Sequence, residues 1–460
     1  MNGQGQVSAQ MPTAGSVAAG CFYTVVLNHD GRLFASGFNV NGVLAQGTRR
    51  SERRFLSILS KRAFTNLDGG LQHWLAIDEH GKLWACGNNH YGQLGLKQAE
   101  TLRLRLVPAL GGQRVASIAC GLGHSLVCTA GGLLFAAGCN GDGQLGTGDL
   151  TSRCRFARVK DRVSLAPGSL AAGAWHSACV DSEGRVSVWG SAIGTHPVFE
   201  HPIWLRARIC IPFTLDPRLF GGKVLIVAAG HCHAVAVTPS AVFSWGDDIQ
   251  GCLGHGEFEN IPLPKAIAAF QGCEVSSVAC GPYHNVALDS SGAAFVWGDN
   301  RKGQLGLGDL DSRFMPVRLG ATLVDNNALM QVSAGTEHCA AVTQGGLLYT
   351  WGRCQAGGSR RIPCGLGVVH RHRFATLPCR VTALFDQSHS ATTACLGRWH
   401  GIGTLNALAW LMGTLPRAAD RPGRRRSRRI AESRICWVPA LPPDVVKVVL
   451  DLCRGANGEF

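Results

Sequence analysis

The sequence predicts an all-β chain, a β-propeller built from repeats of about 51 residues, and three linked observations carry that reading. A Gly-x-x-His tetrad recurs in register, an aromatic residue followed by Gly comes 10 to 14 residues later, and a Gly-Gln-Leu-Gly motif follows that pair. Composition points the same way. Sixty of the 460 residues are Gly, without a strict triplet period and with 19 Pro, which suits many tight turns and not a collagen-like chain. A hydrophobic share of 46% with 16% charged residues excludes a mostly disordered protein.

The tetrad ends at His73, His124, His176, His233, His284 and His338, with degenerate members Gly20-x-x-Tyr23 before and Asp386-x-x-His389 after. The steps are 50, 51, 52, 57, 51, 54 and 51 residues. Alone the tetrad is weak, since it also ends out of register at His90, His370 and His400. Its coupling to the second motif is what specifies a repeat. Trp189-Gly190, Trp245-Gly246, Trp297-Gly298 and Trp351-Gly352 are clear members, and looser versions end at Gly37, Gly87 and Gly138. The third motif ends at Gly95, Gly146, Gly254 and Gly306.

Between the motifs the pattern is that of strands. The segments from His124, His284 and His338 each have an apolar run, a turn containing Gly132, Gly292 or Gly346, and a second apolar or aromatic run, which is a β-hairpin. A further run, such as that from Val115 or Glu274, leads into the next tetrad. Three or four short strands per repeat fit a propeller blade and leave no room for a crossover helix.

With these motifs the sequence resembles the regulator of chromosome condensation family over about residues 17 to 396. The resemblance implies a seven-bladed β-propeller, and the seven aromatic-Gly motifs from Gly37 to Gly352 match that number. The extra tetrad is expected if strands from both termini complete one shared blade and so remove open edges. Glycines would permit positive φ and close packing near the axis, and the Trp side chains would fill space between blades. Six copies of one His around a ring are read as buried structural residues, since catalysis or metal binding needs one well-placed group.

Function is expected where loops depart from the repeat. The first departure is Ser191 to Pro217, whose aromatics Phe199, Trp204 and Phe213 interleave with Arg206 and Arg208. The second is Arg353 to Gly367, which inserts Arg360 and Arg361. Neither brings a nucleophile, base and orienter together, and no Walker loop, His-Glu-x-x-His or Gly-x-Ser-x-Gly occurs. No catalytic residue, cofactor or metal site is expected; Cys364, His370, His372 and Cys379 lack recognisable zinc-ligand spacing.

The resemblance further implies two activities. The founding one is nucleotide exchange on the small GTPase Ran, in which acidic and polar residues inside the tetrad form part of the contact face; many other members are scaffolds or targeting modules. The corresponding pairs here are Leu71-Gln72, Leu122-Gly123, Ala174-Trp175, His231-Cys232, Pro282-Tyr283 and Thr336-Glu337, of which only Glu337 is acidic. A face made of Gln72, Trp175, His231, Tyr283 and Glu337, with Phe199 and Trp204 from the insertion, suits a different protein partner. The preferred reading is a non-enzymatic interaction propeller, with guanine-nucleotide exchange on a Ran-like GTPase as the alternative.

Charge is concentrated near the end. Between Arg417 and Arg434 eight Arg face Asp420 and Glu432, so the remaining chain holds about +8 of the net +14, an ordinary value. The Pro-rich surroundings of Arg424, Arg425, Arg426, Arg428 and Arg429 read as a flexible linker, with the Arg run as a nuclear localisation signal or a weak nucleic-acid or chromatin contact. The expected layout is a disordered N-terminus over 1–16, a propeller over 17–412, a linker over 413–443 and a short helix and tail over 444–460. Nineteen Cys in a long chain, no secretory pattern before Ser16 and no apolar stretch of about 18 residues suggest a monomeric intracellular protein with reduced thiols, nuclear or cytoplasmic and without a membrane partner.

Overall fold

The computed structural model describes residues 14–108, 110, 112–160, 170–191, 208–353 and 374–381. Among these, 28 strands form seven four-stranded sheets, each made of four consecutive strands paired antiparallel with their neighbours. Blade 1 runs from strand Ala14–Ala19 to strand Glu52–Ser57, and blade 7 from Leu329–Ala334 to Phe374–Arg380. The first strand of each blade lies innermost and the fourth outermost.

Burial explains why the middle strands read as unbroken apolar runs. All six residues of His124–Thr129 are buried, because a neighbouring blade covers each face of the sheet. Outer strands such as Arg153–Arg158 instead mix exposed and half-buried positions. Hairpins close on an acidic cap: Asp78 Oδ1 accepts from His80 N at 3.0 Å and Lys82 N at 2.8 Å, and Asp181 and Asp289 repeat the arrangement.

The repeated glycines answer to close approach. A Cβ on the tetrad Gly121 would lie 2.4 Å from the Gly173 carbonyl oxygen of the next blade. Gly138 holds φ at 112° with the Gly123 carbonyl 2.4 Å from where a Cβ would stand.

Tryptophans join blade to blade as expected. Trp189 packs among Leu126 and Leu145 of blade 3, and its indole N–H donates to the Gln144 carbonyl at 2.9 Å. Trp297 and Trp351 donate equivalently to the carbonyls of Cys252 at 3.0 Å and Gln304 at 2.8 Å. The acceptor is a main-chain carbonyl, which Cys252 supplies as well as Gln does, while the side chains of Gln93, Gln144 and Gln304 accept from Tyr91 N at 3.0 Å, Asp142 N at 3.0 Å and Lys302 N at 2.9 Å. An Asn four residues earlier fastens the same loop: Asn140 Oδ1 accepts from Leu145 N at 2.9 Å, as Asn89 does from Leu94 N and Asn300 from Leu305 N.

The six tetrad histidines are buried, and their Nε2 atoms point across the seams between blades. His73 Nε2 lies 2.8 Å from Ser125 Oγ, the residue just after the next tetrad, and Ser125 Oγ donates to the Gln93 carbonyl at 2.8 Å. His124 repeats this with Ser177 at 2.9 Å, His233 with Asn285 at 2.7 Å and His284 with the Cys339 thiol at 3.2 Å. Since each bridging group already donates to a carbonyl, the imidazole must be the donor, which assigns the Nε2–H tautomer. Burial pushes these imidazoles down, to about 3 for His73, His124 and His338 and about 4 for His233 and His284. His176 is also pushed down, by burial and then by the neighbouring histidines. Its Nε2 has no partner, because Ala234 occupies the bridging position.

The expectation of a blade shared between the two ends is corrected by the strand order. Blade 1 is complete within residues 14–57 and blade 7 ends on its own strand, Phe374–Arg380. Inner strands instead touch in sequence around the axis, with Ala14–Ala19 packed against Leu329–Ala334 as well as Phe64–Gly69. At this closing seam Val17 N and Ala19 N donate to Gln331 Oε1 at 3.0 Å and Ser333 Oγ at 2.9 Å, and His338 Nε2 meets Thr24 Oγ1 at 3.0 Å. The Gly20-x-x-Tyr23 member is therefore a full repeat position: Tyr23 OH reaches the Gly70 and His73 carbonyls at 2.9 and 2.6 Å. Asp386 to His389, the Arg run and the expected C-terminal helix lie outside the described residues.

Candidate protein-interaction face

Among the described residues, the tetrad turn and the start of the loop after the aromatic-Gly pair meet at one end of the ring. The third tetrad residue offers its carbonyl to the residue after the aromatic-Gly pair: Asn88 N to Gln72 O at 2.9 Å, Ser191 N to Trp175 O at 2.8 Å, Asp299 N to Tyr283 O at 2.8 Å and Arg353 N to Glu337 O at 2.8 Å. The variable tetrad positions and the Asn-x-x-Gly loops therefore form one face, built on rigid strand ends.

On that face Trp175, His231 and Tyr283 come together across blades 4, 5 and 6. The Trp175 indole N–H donates to His231 Nε2 at 3.2 Å, which requires that nitrogen to be unprotonated. His231 then stacks on Tyr283 with ring centroids 5.3 Å apart and planes at 22°. All three are half-buried, so ring edges and faces remain open to a partner. Burial pushes the Tyr283 phenol up to about 12, so it meets a partner as a neutral hydroxyl.

Charged groups flank the aromatic row in fixed pairs. Arg301 Nε lies 2.8 Å from Asp299 Oδ1, next to Tyr283. Glu337 is ion-paired with Arg353, whose guanidinium sits 5.5 Å from the Phe22 ring centroid in blade 1. Gln72 stands apart in blade 2, its Oε1 accepting from Asn41 Nδ2 at 2.6 Å and Asn88 Nδ2 at 3.1 Å. Of the sequence-predicted face, then, Trp175, His231 and Tyr283 form one contiguous group, Glu337 is a neutralised edge and Gln72 belongs to a separate polar cluster. Phe199 and Trp204 lie outside the described residues, as do Arg360, Arg361, Cys364, His370 and His372.

Tyr91 was not singled out by the sequence. It is 37% exposed, packs edge-on against His90 at 5.2 Å, and lies over Gly123, where the missing side chain leaves room for its ring. The signal was available as an aromatic in an Asn-x-x-Gly loop beside a tetrad with Gly in its variable pair.

The axial channel is narrow. Its wall of small residues, among them Gly70, Gly121, Cys120 and Cys280, leaves about 100 Å³, room for a few waters and not for a substrate. Among the described residues there is no group of three or more His, Cys, Asp or Glu able to hold a metal ion, and no helix is long and apolar enough to cross a membrane.

The comparisons with known proteins fit this architecture. The model of the Regulator of chromosome condensation (RCC1) repeat matches residues 80–128, 240–288 and 291–342, and a second model of the same repeat matches 64–93, 115–144 and 275–304. The Ultraviolet-B receptor UVR8 of Arabidopsis thaliana is 29% identical over 343 residues, covering 73% of this chain and 76% of the receptor. The X-linked retinitis pigmentosa GTPase regulator of the dog is 31% identical over 303 residues, but the match spans 55% of this chain and only 30% of that protein. Among solved structures, yeast RCC1 (Prp20) bound to Kap60 superimposes with a TM-score of 0.65 over 83% of this chain and 91% of that one, at 19% identity, a likeness of fold alone. Matched repeats, the in-register tetrads and seven sheets closed into a ring lead to one conclusion: the chain belongs to the regulator of chromosome condensation repeat family.

Proposed function

We propose that this propeller is a non-enzymatic interaction module that binds a protein partner through the loop face carrying Trp175, His231 and Tyr283. The stacked row across three blades supports this reading: rigid half-buried aromatics bury much area at little entropic cost, the property of binding hot spots. The fixed charges beside it, Arg301 with Asp299 and Arg353 with Glu337, would form a polar rim.

Guanine-nucleotide exchange is the competing reading, prompted by the family. It finds little support in Glu337, the one acid among the six His-ending tetrads, because Arg353 already neutralises it. The test has two arms. Proteins retained on the immobilised full-length chain should be lost from a Trp175→Ala, Tyr283→Ala double variant that keeps its thermal stability. Release of a fluorescent guanine nucleotide from Ran should not accelerate when the chain is added. Acceleration by orders of magnitude, abolished by the same double variant, would establish exchange instead. The Arg tail is proposed to direct nuclear entry, so replacing Arg424, Arg425, Arg426, Arg428 and Arg429 by Gln should shift the protein to the cytoplasm; an unchanged distribution would refute that role.

A further inference from the structure

Among the described residues, the outer rim of blades 1 to 3 is denser in Arg than that of blades 4 to 7, whose outer strands hold Arg208, Lys265, Arg313, Arg318 and Arg380. Seven Arg lie in its three outer strands: Arg53 and Arg54 in Glu52–Ser57, Arg103 and Arg105 in Glu100–Leu106, and Arg153, Arg155 and Arg158 in Arg153–Arg158. The acids nearby are each taken, Glu52 by Arg50 at 3.1 Å, Glu100 by Arg49 and Asp149 by Arg153 at 2.6 Å. That leaves Arg54, Arg103, Arg105, Arg155 and Arg158 exposed, with no ion pair among the described residues. In blades 5 and 6 the corresponding strands and their approach loops balance Lys265 against Glu257 and Glu259, and Arg313 and Arg318 against Asp309 and Asp311.

The three strands form one continuous band. The loop of blade 1 is pinned to the outer strand of blade 2 by Gly47 N donating to Leu102 O at 2.7 Å. The loop of blade 2 lies on the outer strand of blade 3, where a Cβ on Gly92 would stand 2.4 Å from Cys154 Cα. Protection of sheet edges does not account for the charge, because a single charge or Pro blunts an edge. Blades 4 to 7 do it with Pro212, Pro262, Pro264, Pro316 and Pro378, and blades 1 to 3 have no Pro in these strands.

We propose that this rim binds the phosphate backbone of a single-stranded nucleic acid laid along the outer strands of blades 1 to 3. Every basic residue in these strands is Arg, whose planar fork matches a phosphate bidentately. Arg103 and Arg105 share one side of their strand about 7 Å apart, a step comparable to that between successive phosphates of an extended strand. The band follows close to half the circumference, so a flat bilayer would touch one blade at a time. A duplex, with a persistence length of about 50 nm, resists such a curve, and a single strand follows it. The rim offers no stack of aromatics, so recognition is through charge and not sequence.

The experiment uses the full chain and a fluorescein-labelled 30-nucleotide oligouridylate, read by anisotropy across a salt series. The tail variant, with Arg424, Arg425, Arg426, Arg428 and Arg429 replaced by Gln, should still bind. Adding Arg54→Gln, Arg103→Gln, Arg105→Gln, Arg155→Gln and Arg158→Gln to it should weaken binding more than about tenfold near 150 mM salt and reduce the salt slope by about 3.5. Retained affinity in that combined variant, or binding lost with the tail alone, would overturn the proposal. So would equal affinity for a duplex of the same length, displacement by polyglutamate at matched charge, or preferential capture by phosphatidylserine vesicles. Should the combined variant unfold, photo-crosslinking of 4-thiouridine oligomer to the unmodified chain decides: crosslinks within 100–106 and 153–158 support the rim, and crosslinks confined elsewhere contradict it.

Discussion

His176 faces Ala234 across the seam between blades 4 and 5, where every other tetrad histidine meets a hydroxyl, amide or thiol. The consequence is one buried imidazole nitrogen without a hydrogen-bond partner. Replacing Ala234 by Ser, the residue at the matching place in blades 3 and 4, should supply a hydroxyl that can pair with it and stabilise the protein by about 1 kcal/mol. Urea denaturation of the variant measures it, and a lower midpoint would show that the seam cannot accommodate the oxygen.

The buried histidines make the ring sensitive to mild acid. A free imidazole titrates near 6.5, and burial pushes five of these down to about 3 or 4 and also depresses His176. The unfolded chain therefore binds more protons below pH ~6.5. Stability is fully present above that value and is lost as pH falls toward 4, with each histidine adding a slope of about 1.4 kcal/mol per pH unit. Denaturation midpoints should drop between pH 6.5 and 5, because Asp68, whose carboxyl burial pushes up to about 7, offsets only one of the six histidines. Equal midpoints at both values would mean that the imidazoles are not held neutral.

Close approach at the tetrad predicts a contrast between two glycines of blade 3. Gly121→Ala pushes a methyl against the Gly173 carbonyl and the His124 ring, at 2.4 and 2.6 Å, and should cost about 3 kcal/mol. Gly141→Ala meets nothing within 4 Å and should be close to neutral. Thermal unfolding of the pair checks this; equal losses would remove the steric account.

Much of this architecture was legible because chemistry that needs one residue type leaves a repeated letter. The tetrad Gly, its His and the inter-blade Trp recur visibly, as does the Asn that fastens the Gly-Gln-Leu-Gly loop. The groups that receive the histidines were not legible, since Ser125, Ser177, Asn285, Cys339 and Thr24 share a position and a function but no letter. Tyr23 looked like a degenerate repeat, yet its hydroxyl reaches backbone carbonyls of the next blade, and it was the count of eight tetrads for seven blades that led to the expected shared blade. The rim was hidden for another reason. Its arginines lie in three segments some 50 residues apart, so a sum over the chain read as an ordinary surface until the fold placed them side by side. Trp175, His231 and Tyr283 were named from tetrad position, but their contact depends on blades 4, 5 and 6 being neighbours.

The account rests on a ring that closes without a shared strand, through contacts such as that of His338 with Thr24, 314 residues apart. A double-mutant cycle of His338→Ala and Thr24→Val, read by equilibrium denaturation, tests this most directly. Closure predicts a coupling energy of about 1 kcal/mol between the two substitutions. Strictly additive losses would contradict it, because residues at opposite ends of an unclosed array would have nothing to share.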